Sequence, residues 1–322
     1  MDAPAGGAQG STLLGAGLLL AFATAVLSGV STFVNSYAVA GTSSDAFVTV
    51  RNLLVAIALV PLFLATGLPT GRGRLRPVDW GRLVAIGIVG GGIPFLLFFH
   101  GLELASAGGG GVTASFLYRM LFLPATVLGI VVLRERLRWT TAAAAVLLLG
   151  GNVLLLSLTT PVWTDGSAFV LAATGLWAVE YTISKRTLKD LPSATVALGR
   201  MGFGAAFLVG YLALTAQVAS LRSFTPGEWT WVVVSALFLT AFVGTWYAAL
   251  KRVDLGVATA VLVLGFPVTW ILSVLVRGSP ATALEVGGVV ALATGVALAV
   301  GRSAFRSLGE FVRSIALRRA VA

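Results

Sequence analysis

Residues 124–155 read PATVLGIVVLRERLRWTTAAAAVLLLGGNVLL, so that two apolar runs flank the short basic segment RERLR. Neither run carries a charged residue within this stretch. Extended by its neighbouring apolar residues, each run approaches the roughly 20 residues that a helix needs to cross the hydrocarbon core of a bilayer. The pattern predicts two membrane helices joined by a short, positively charged loop.

The composition of the whole chain indicates the same environment. Of its 322 residues, 57% are hydrophobic and 11% are charged, whereas soluble domains carry about 25% charged residues. The mean hydropathy is +0.97, and a soluble fold of this length could not bury so much apolar surface. We therefore expect an all-α polytopic membrane protein, which excludes a soluble enzyme and a nucleic-acid-binding module.

Apolar runs separated by charged, glycine-rich or proline-rich breaks predict ten transmembrane helices. We place these helices at 12–36, 45–67, 81–101, 110–133, 139–158, 167–186, 193–216, 229–250, 255–276 and 283–300. Ten crossings put both termini on one side, and that side holds seventeen lysines and arginines, at 72–82, 134–138, 185–189, 251–252 and 302–319. The other side holds only Arg222 and Arg277. The positive-inside rule then predicts a multi-pass membrane protein with both termini in the cytoplasm.

The two halves of the chain share internal features. The second helix reads DAFVTVRNLLVAIALV and the seventh reads SATVALGRMGFGAAFLV, each with an arginine in its first half. The fourth and ninth each carry a proline within an apolar run, FLPATVLGIVVL and GFPVTWILSVLV. Because five helices is an odd number, the second half must cross the membrane in the opposite sense. The sequence therefore predicts two inverted five-helix repeats, an arrangement typical of secondary transporters.

The predicted organisation has five parts. These are an N-terminal cytoplasmic tail at 1–11, a first repeat at 12–158, a linker at 159–166, a second repeat at 167–300 and a basic tail at 301–322. In the basic tail, Phe305, Leu308, Val312 and Ile315 follow helical spacing and most arginines lie off that stripe. This predicts an amphipathic helix at the membrane interface, with a frayed tail as the alternative.

Residues 124–155 also resemble a known family. The proline, the apolar stretch, Glu135 and the following glycine-bearing helix are similar to the first half of EamA-type proteins, which belong to the drug/metabolite transporter superfamily. In the second half, VRGSPATALE places Arg277 and Gly278 where the family pattern has a glutamate. The resemblance covers about residues 12–300 and implies two five-helix repeats that export or exchange a small metabolite across the inner membrane.

Arg119 is the first candidate for substrate binding, because it lies near the middle of the fourth predicted helix. An unpaired arginine at the bilayer centre costs at least about 2.5 kcal/mol, so it should face the protein interior or water. Ser115, Arg119, Phe122 and Thr126 follow helical spacing and predict one partly polar face. Arg119 is interpreted either as an anchor for an anionic group or as a structural arginine paired within the bundle.

Glu180 and Arg200 are predicted to lie at matched depth and to form an ion pair. The pair is assigned a structural or gating role, with proton coupling through Glu180 as the alternative. His100 lies near the end of the third helix, where it is either an interfacial residue or part of a pH-sensitive gate. Arg51 is assigned a structural role, because its side chain is expected to extend outward toward the interface.

A further set of residues is expected to line a central cavity: Asn35, Tyr118, Trp246, Tyr247, Phe266 and Trp270. The segment Gly90–Pro94 interrupts the third helix and Gly108–Gly111 opens the fourth, so these two helices should bend or break. With one histidine and no cysteine, the chain predicts no metal site and no cofactor.

These observations favour a secondary active transporter of a small organic metabolite that works by alternating access around a mid-membrane cavity. The partners expected are the substrate and the lipid bilayer, and no nucleic acid. A flippase for a lipid or polyprenyl phosphate is the alternative, and an intramembrane enzyme is a more distant one, since a catalytic cluster of acids, bases or metal ligands is not apparent.

Overall fold

The computed structural model describes residues 5–38, 44–67, 75–136, 138–158, 160–222 and 224–321, and every regular element in these ranges is helical. Arg72 and Arg74 fall outside them, and so do the side chains of Arg222, Arg318 and Arg319. The main helices are α1 Ala5–Ala38, α2 Ser44–Thr66, α3 Pro77–Ala107, α4 Gly111–Arg119, α5 Phe122–Leu133, α6 Trp139–Leu155, α7 Asp165–Thr187, α8 Ser193–Leu214, α9 Pro226–Leu250, α10 Leu255–Leu262, α11 Gly265–Arg277 and α12 Ala283–Val321.

Nine segments of the described chain are long and apolar enough to cross a membrane, with α4–α5 and α10–α11 each counted as one segment. The fifth predicted helix is the exception, because α6 has only 17 residues. It ends at Leu155, since Ser157 adopts a left-handed backbone conformation with φ of 48°. The all-helical membrane fold is therefore confirmed for the described residues, with nine candidate spans and one shorter apolar helix.

Several helices begin at local capping sequences. Pro226 opens α9, and the amide and hydroxyl of the preceding Thr225 both donate to Glu228 Oε2, at 2.6 and 2.8 Å. Thr282 makes the same two contacts with Glu285 Oε2 before α12. These capping boxes satisfy backbone donors that the first helical turn leaves free, so they fix where each helix starts.

Helices from the first half of the chain pack against helices from the second half. Helix α1 packs along α9, α2 along α8, α3 along α7, and α6 along α12, while α5 packs on α10. Gly91 of α3 and Gly204 of α8 allow the two helices to cross closely. A Cβ added at Gly204 would lie only 2.6 Å from the Gly91 carbonyl carbon. The core is therefore built between the two halves of the chain and not within each of them.

The fourth and ninth predicted helices are both broken. The break between α4 and α5 lies at Met120–Leu121, four residues before Pro124, and the break between α10 and α11 lies at Val263–Leu264, four residues before Pro267. A proline lacks the amide hydrogen and clashes with the carbonyl four residues earlier, which explains both positions. The segment Gly87–Gly92 instead forms a π-helical turn within α3.

The C-terminal tail is helical and packs on α1. Gly301, with φ of 78°, bends α12 before the tail begins. Ser11 donates to Glu310 Oε2 at 2.7 Å, and the Phe22 and Phe305 rings lie 6.4 Å apart. Val312 remains exposed. The predicted tail helix is therefore present and is attached to the bundle, while the predicted domain boundaries stay predictions.

Candidate functional site

A cavity of about 850 Å³ lies among α1, α2, α3, α4, α7, α8, α9 and α11. At its deep end it is lined by arginine side chains from the middle of the helices. At its other end it is lined by residues near the α1–α2 and α3–α4 connections, among them Asn35, Asp45, His100 and Glu103. A volume of this size is typical of a small-molecule site.

Arg51 and Arg200 are each only 3% exposed at the cavity. The Arg51 guanidinium lies 5.6, 5.2 and 5.9 Å from the ring centres of Phe47, Phe95 and Phe99, and Arg51 donates to Asn52 Oδ1 at 3.4 Å. The expectation that Arg51 extends outward was wrong, because aromatic rings on α2 and α3 hold its charge inside the bundle.

Arg119 is the last residue of α4, directly before the helix break. Its guanidinium lies 4.2 Å from the centre of the Phe266 ring on α11, and its Nη1 is buried with no hydrogen-bond partner among the described residues. The predicted face that joined Arg119 to Phe122 and Thr126 was wrong. The break redirects α5, so that Phe122 is buried in the core and Thr126 lies beside Gly256.

Glu180 and Arg200 form the predicted ion pair, with Arg200 Nε 3.6 Å from Glu180 Oε2. Glu180 is fully buried, and its Oε1 accepts hydrogen bonds from Tyr247 at 2.7 Å and from Ser184. Arg200 also donates to the Gly90 carbonyl at 3.2 Å. Gly90 is required at this position because a Cβ there would lie 2.2 Å from Glu180 Cγ.

A row of aromatic rings runs from Phe266, which contacts Arg119, to Phe95, which contacts Arg51 and Arg200. The Phe266 and Tyr118 rings lie 6.3 Å apart, Tyr118 and Trp177 lie 5.5 Å apart, and Trp177 and Phe95 lie 5.5 Å apart. Trp177 is anchored because its Nε1 donates to the Gly90 carbonyl at 3.1 Å. Trp177 and Phe95 were missed in the sequence, although Trp177 precedes Glu180 by three residues and so shares its helix face.

The other predicted lining residues divide into two groups. Asn35, Ser115, Tyr118, Phe266 and His100 line the cavity. Asn35 accepts from Ser235 at 2.6 Å, and Ser115 donates to the Gly111 carbonyl at 2.9 Å. The exposed His100 packs its ring against Phe169.

Trp246, Tyr247 and Trp270 are not among the residues that line the described cavity. Trp246 is fully buried against Tyr181, and Tyr247 is turned toward Glu180. Trp270 lies beside Glu285 at the start of α12. The expected position of Trp246 and Tyr247 was wrong because the side of α9 that carries them packs into the core.

Charged side chains at the opposite end of the bundle contact helix ends. Glu135 accepts from the backbone amides of Leu255 at 2.6 Å and Gly256 at 3.1 Å, at the N-terminus of α10. Burial raises the pKa of Glu135 above its ordinary value, and these two donors oppose that shift. An anion at a helix N-terminus is favoured by the helix dipole, so Glu135 attaches the first half of the chain to the second.

Basic side chains make similar contacts nearby. Lys185 donates to the carbonyls of Leu250 at 2.6 Å and Val253 at 2.7 Å, at the C-terminal end of α9. Arg186 donates to the Val132 carbonyl at 2.7 Å at the end of α5. Among the described residues, no group of three or more histidine, aspartate or glutamate side chains is arranged to hold a metal ion.

Comparison with known proteins gives a family and a fold. The model of the EamA-like transporter family matches the chain twice, over residues 15–157 and 165–301. No curated protein matches. Among solved structures, 28 chains match. One, titled "Crystal structure of protein", has a TM-score of 0.71 at 20% sequence identity. The match covers 88% of this chain and 96% of the chain in that structure. At that identity the likeness shows the fold alone.

Proposed function

Because the chain belongs to the EamA-like transporter family, we propose that it is a secondary transporter that moves a small organic metabolite by alternating access. The family places it among membrane transporters of the drug/metabolite superfamily. The observation that carries the finer proposal is the 850 Å³ cavity, which holds buried arginines and reaches one end of the bundle. In this proposal the contacts that Glu135, Lys185 and Arg186 make with helix ends close the other end.

The proposal includes ten crossings arranged as two inverted repeats. A two-fold axis that relates each span to the fifth span after it would exchange the α1–α9 contact with the α3–α7 contact. It would map the α2–α8 and α6–α12 contacts onto themselves. These four contacts are among the most extensive ones between the halves of the chain, and the two helix breaks fall at equivalent positions. Both features support inverted repeats with a site between them.

The direction in which the cavity opens follows from the charge distribution. The cavity reaches the end of the bundle opposite the segments at 134–138, 185–189 and 251–252, which are rich in lysine and arginine. By the positive-inside rule, the cavity then opens outward and both termini are cytoplasmic. Opening toward the cytoplasm requires Glu135 to leave the N-terminus of α10, so Glu135 acts as an inner latch in this proposal.

Arg119 is proposed as the anchor for an anionic group of the substrate. Its Nη1 has no protein partner among the described residues, and a buried donor without an acceptor is unfavourable until a ligand supplies one. Glu180 is proposed to hold Arg200 in place at the cavity wall, since it contacts Arg200 on one oxygen and Tyr247 on the other.

Counterflow in proteoliposomes tests the proposed function. Vesicles that contain purified protein are loaded in turn with unlabelled amino acids, drugs, dicarboxylates and polyprenyl phosphates, and uptake of the matching labelled compound is measured. We expect counterflow for at least one soluble metabolite, and a loss of about tenfold or more in Arg119→Gln. Arg82→Gln is the matched control, because it removes the same charge at a partly exposed site that pairs with Asp190.

The same assay contains the results that would overturn the proposal. Movement of polyprenyl phosphate alone between leaflets would make the protein a flippase. Chemical conversion of a compound without flux would make it an intramembrane enzyme. Equal counterflow in wild type and Arg119→Gln would remove Arg119 from the site.

A further inference from the structure

Positively charged side chains outnumber negatively charged ones around the deep part of the cavity. Arg51, Arg119 and Arg200 supply three positive charges, because arginine stays protonated in proteins. Within the described residues, the one carboxylate against them is Glu180, which is paired with Arg200. Asp45, His100 and Glu103 line the cavity near the helix ends, away from the middle of the bundle. At least two positive charges at mid-bundle therefore lack a compensating anion.

The unsatisfied donors lie at two separate places. Arg119 Nη1 and Arg200 Nη1 are both buried without a hydrogen-bond partner among the described residues. Arg119 lies against Phe266, whereas Arg51 and Arg200 both lie against Phe95, at 5.2 and 5.9 Å from its ring centre. The two groups of cations define two poles, with Arg119 as the first pole and the Arg51–Arg200 pair as the second.

The wall between the poles is aromatic. Phe266 of the first pole is followed by Tyr118, then Trp177, and then Phe95 of the second pole, with ring centres 5.5 to 6.3 Å apart. Such a row favours a flat apolar group that stacks on the rings. It offers no cation and no carboxylate along its length.

We propose that the cavity binds an organic dianion whose two anionic groups are joined by a flat apolar segment, one group at each pole. This inference rests on the transport function proposed above and names its substrate class. A dianion neutralises both surplus charges, whereas a monoanion leaves one guanidinium uncompensated in a poorly hydrated site. Carboxylate and phosphate share the chemistry that guanidinium recognises in a bidentate manner.

Binding of chosen probes to the purified full-length protein in detergent tests this proposal by titration calorimetry. The dianions are terephthalate, biphenyl-4,4′-dicarboxylate and, at a pH where each phosphonate carries one charge, 1,4-phenylenebisphosphonate. The matched monoanions of the two dicarboxylates are benzoate and biphenyl-4-carboxylate. Terephthalamide is the neutral control. Phenyl phosphate carries both charges on one group and therefore tests whether two poles are needed.

We expect at least one two-ended dianion to bind about ten to a hundred times more tightly than its monoanion, the ratio that one charge-assisted contact supplies. Preference for the dicarboxylates or for the bisphosphonate identifies the anionic group. The proposal is overturned if each dicarboxylate binds no better than its monoanion, if terephthalamide binds equally well, or if phenyl phosphate binds most tightly.

Variants locate the two ends. Arg119→Gln and Arg51→Gln should each reduce the affinity for the dianion about ten- to a hundredfold and bring it to that of the monoanion. Arg119→Lys should recover part of the loss, and Arg82→Gln should leave the affinity unchanged. Circular dichroism and the thermal midpoint establish that each variant is folded. Equal dianion affinity in wild type and both glutamine variants would contradict the two-pole site.

Failure of this inference is distinguishable from failure of the proposed function. Counterflow of a neutral or cationic metabolite, together with no preference for dianions in calorimetry, would retain the transporter and overturn the dianion site. Tight binding of a dianion that depends on Arg119, without counterflow of any compound, would retain the site and overturn transport.

Discussion

Replacing Glu180 and Arg200 by glutamine, singly and together, measures how strongly the two buried charges depend on each other. At 3.6 Å and an effective dielectric constant of about 20, their attraction is about 4.6 kcal/mol. Each single variant leaves one charge buried without its partner, which typically costs about 3–5 kcal/mol. The loss in the free energy of unfolding for the double variant should be about 3 kcal/mol smaller than the sum of the two single losses. This coupling lies at the upper end of the range for residues in contact.

Unfolding of the purified protein by SDS in mixed micelles provides the assay. Glutamine keeps an acceptor for Tyr247 in place of Glu180 and a donor for the Gly90 carbonyl in place of Arg200, so the cycle isolates the charges. If the loss of unfolding free energy in the double variant equals the sum of the two single losses within about 0.5 kcal/mol, the reasoning is refuted, because independent sites behave in that way.

The same variants separate positioning of Arg200 from proton coupling. If Glu180 only holds Arg200 in place, uptake driven by a pH gradient and counterflow should fall in parallel in Glu180→Gln. Intact counterflow combined with complete loss of gradient-driven uptake would instead assign the transported proton to Glu180.

Further predictions concern the glycine beside Glu180 and the inner latch. Gly90→Ala should lower the thermal midpoint and the transport rate, because its Cβ would lie 2.2 Å from Glu180 Cγ, and overpacking of this kind costs about 1–3 kcal/mol. Gly175→Ala, where an added Cβ meets nothing within 4 Å, should be neutral or stabilising, and equal effects would contradict the packing argument. Burial raises the folded-state pKa of Glu135 above its ordinary 4.5, so the folded protein holds this proton more tightly than the unfolded chain. The thermal midpoint of wild type relative to Glu135→Gln should therefore fall as pH rises from below about 4.5 through the raised pKa, and a rise over that interval would be the contrary result.

Features that depend on local sequence were predictable. Apolar runs located the helices, and the glycines at 90–92 predicted an irregular turn within the third helix. The Glu180–Arg200 pair followed from depth alone, because a helix fixes depth through its rise per residue. The helical tail followed from the spacing of Phe305 and its apolar neighbours.

Features that depend on contacts between distant segments were not predictable from periodicity. Glu135 and Leu255 are 120 residues apart, and Tyr247 and Glu180 are 67 residues apart. Apolar faces of membrane helices look alike toward lipid and toward protein, so the sequence could not show that Tyr247 faces the core. The predicted position of Arg51 was wrong because the rings that surround its guanidinium come from two helices, and their proximity cannot be inferred from either helix alone.

Labelling of a single introduced cysteine tests most directly whether the cavity is reached from one face at a time. The natural chain has no cysteine, so Ser31→Cys, at a residue that lines the cavity, reports without background. A membrane-impermeant maleimide is applied to either face of oriented vesicles. The account predicts labelling only from the face opposite the termini at rest, and labelling from the other face once a transported substrate is present. Labelling from both faces without substrate, or from neither face, would contradict it.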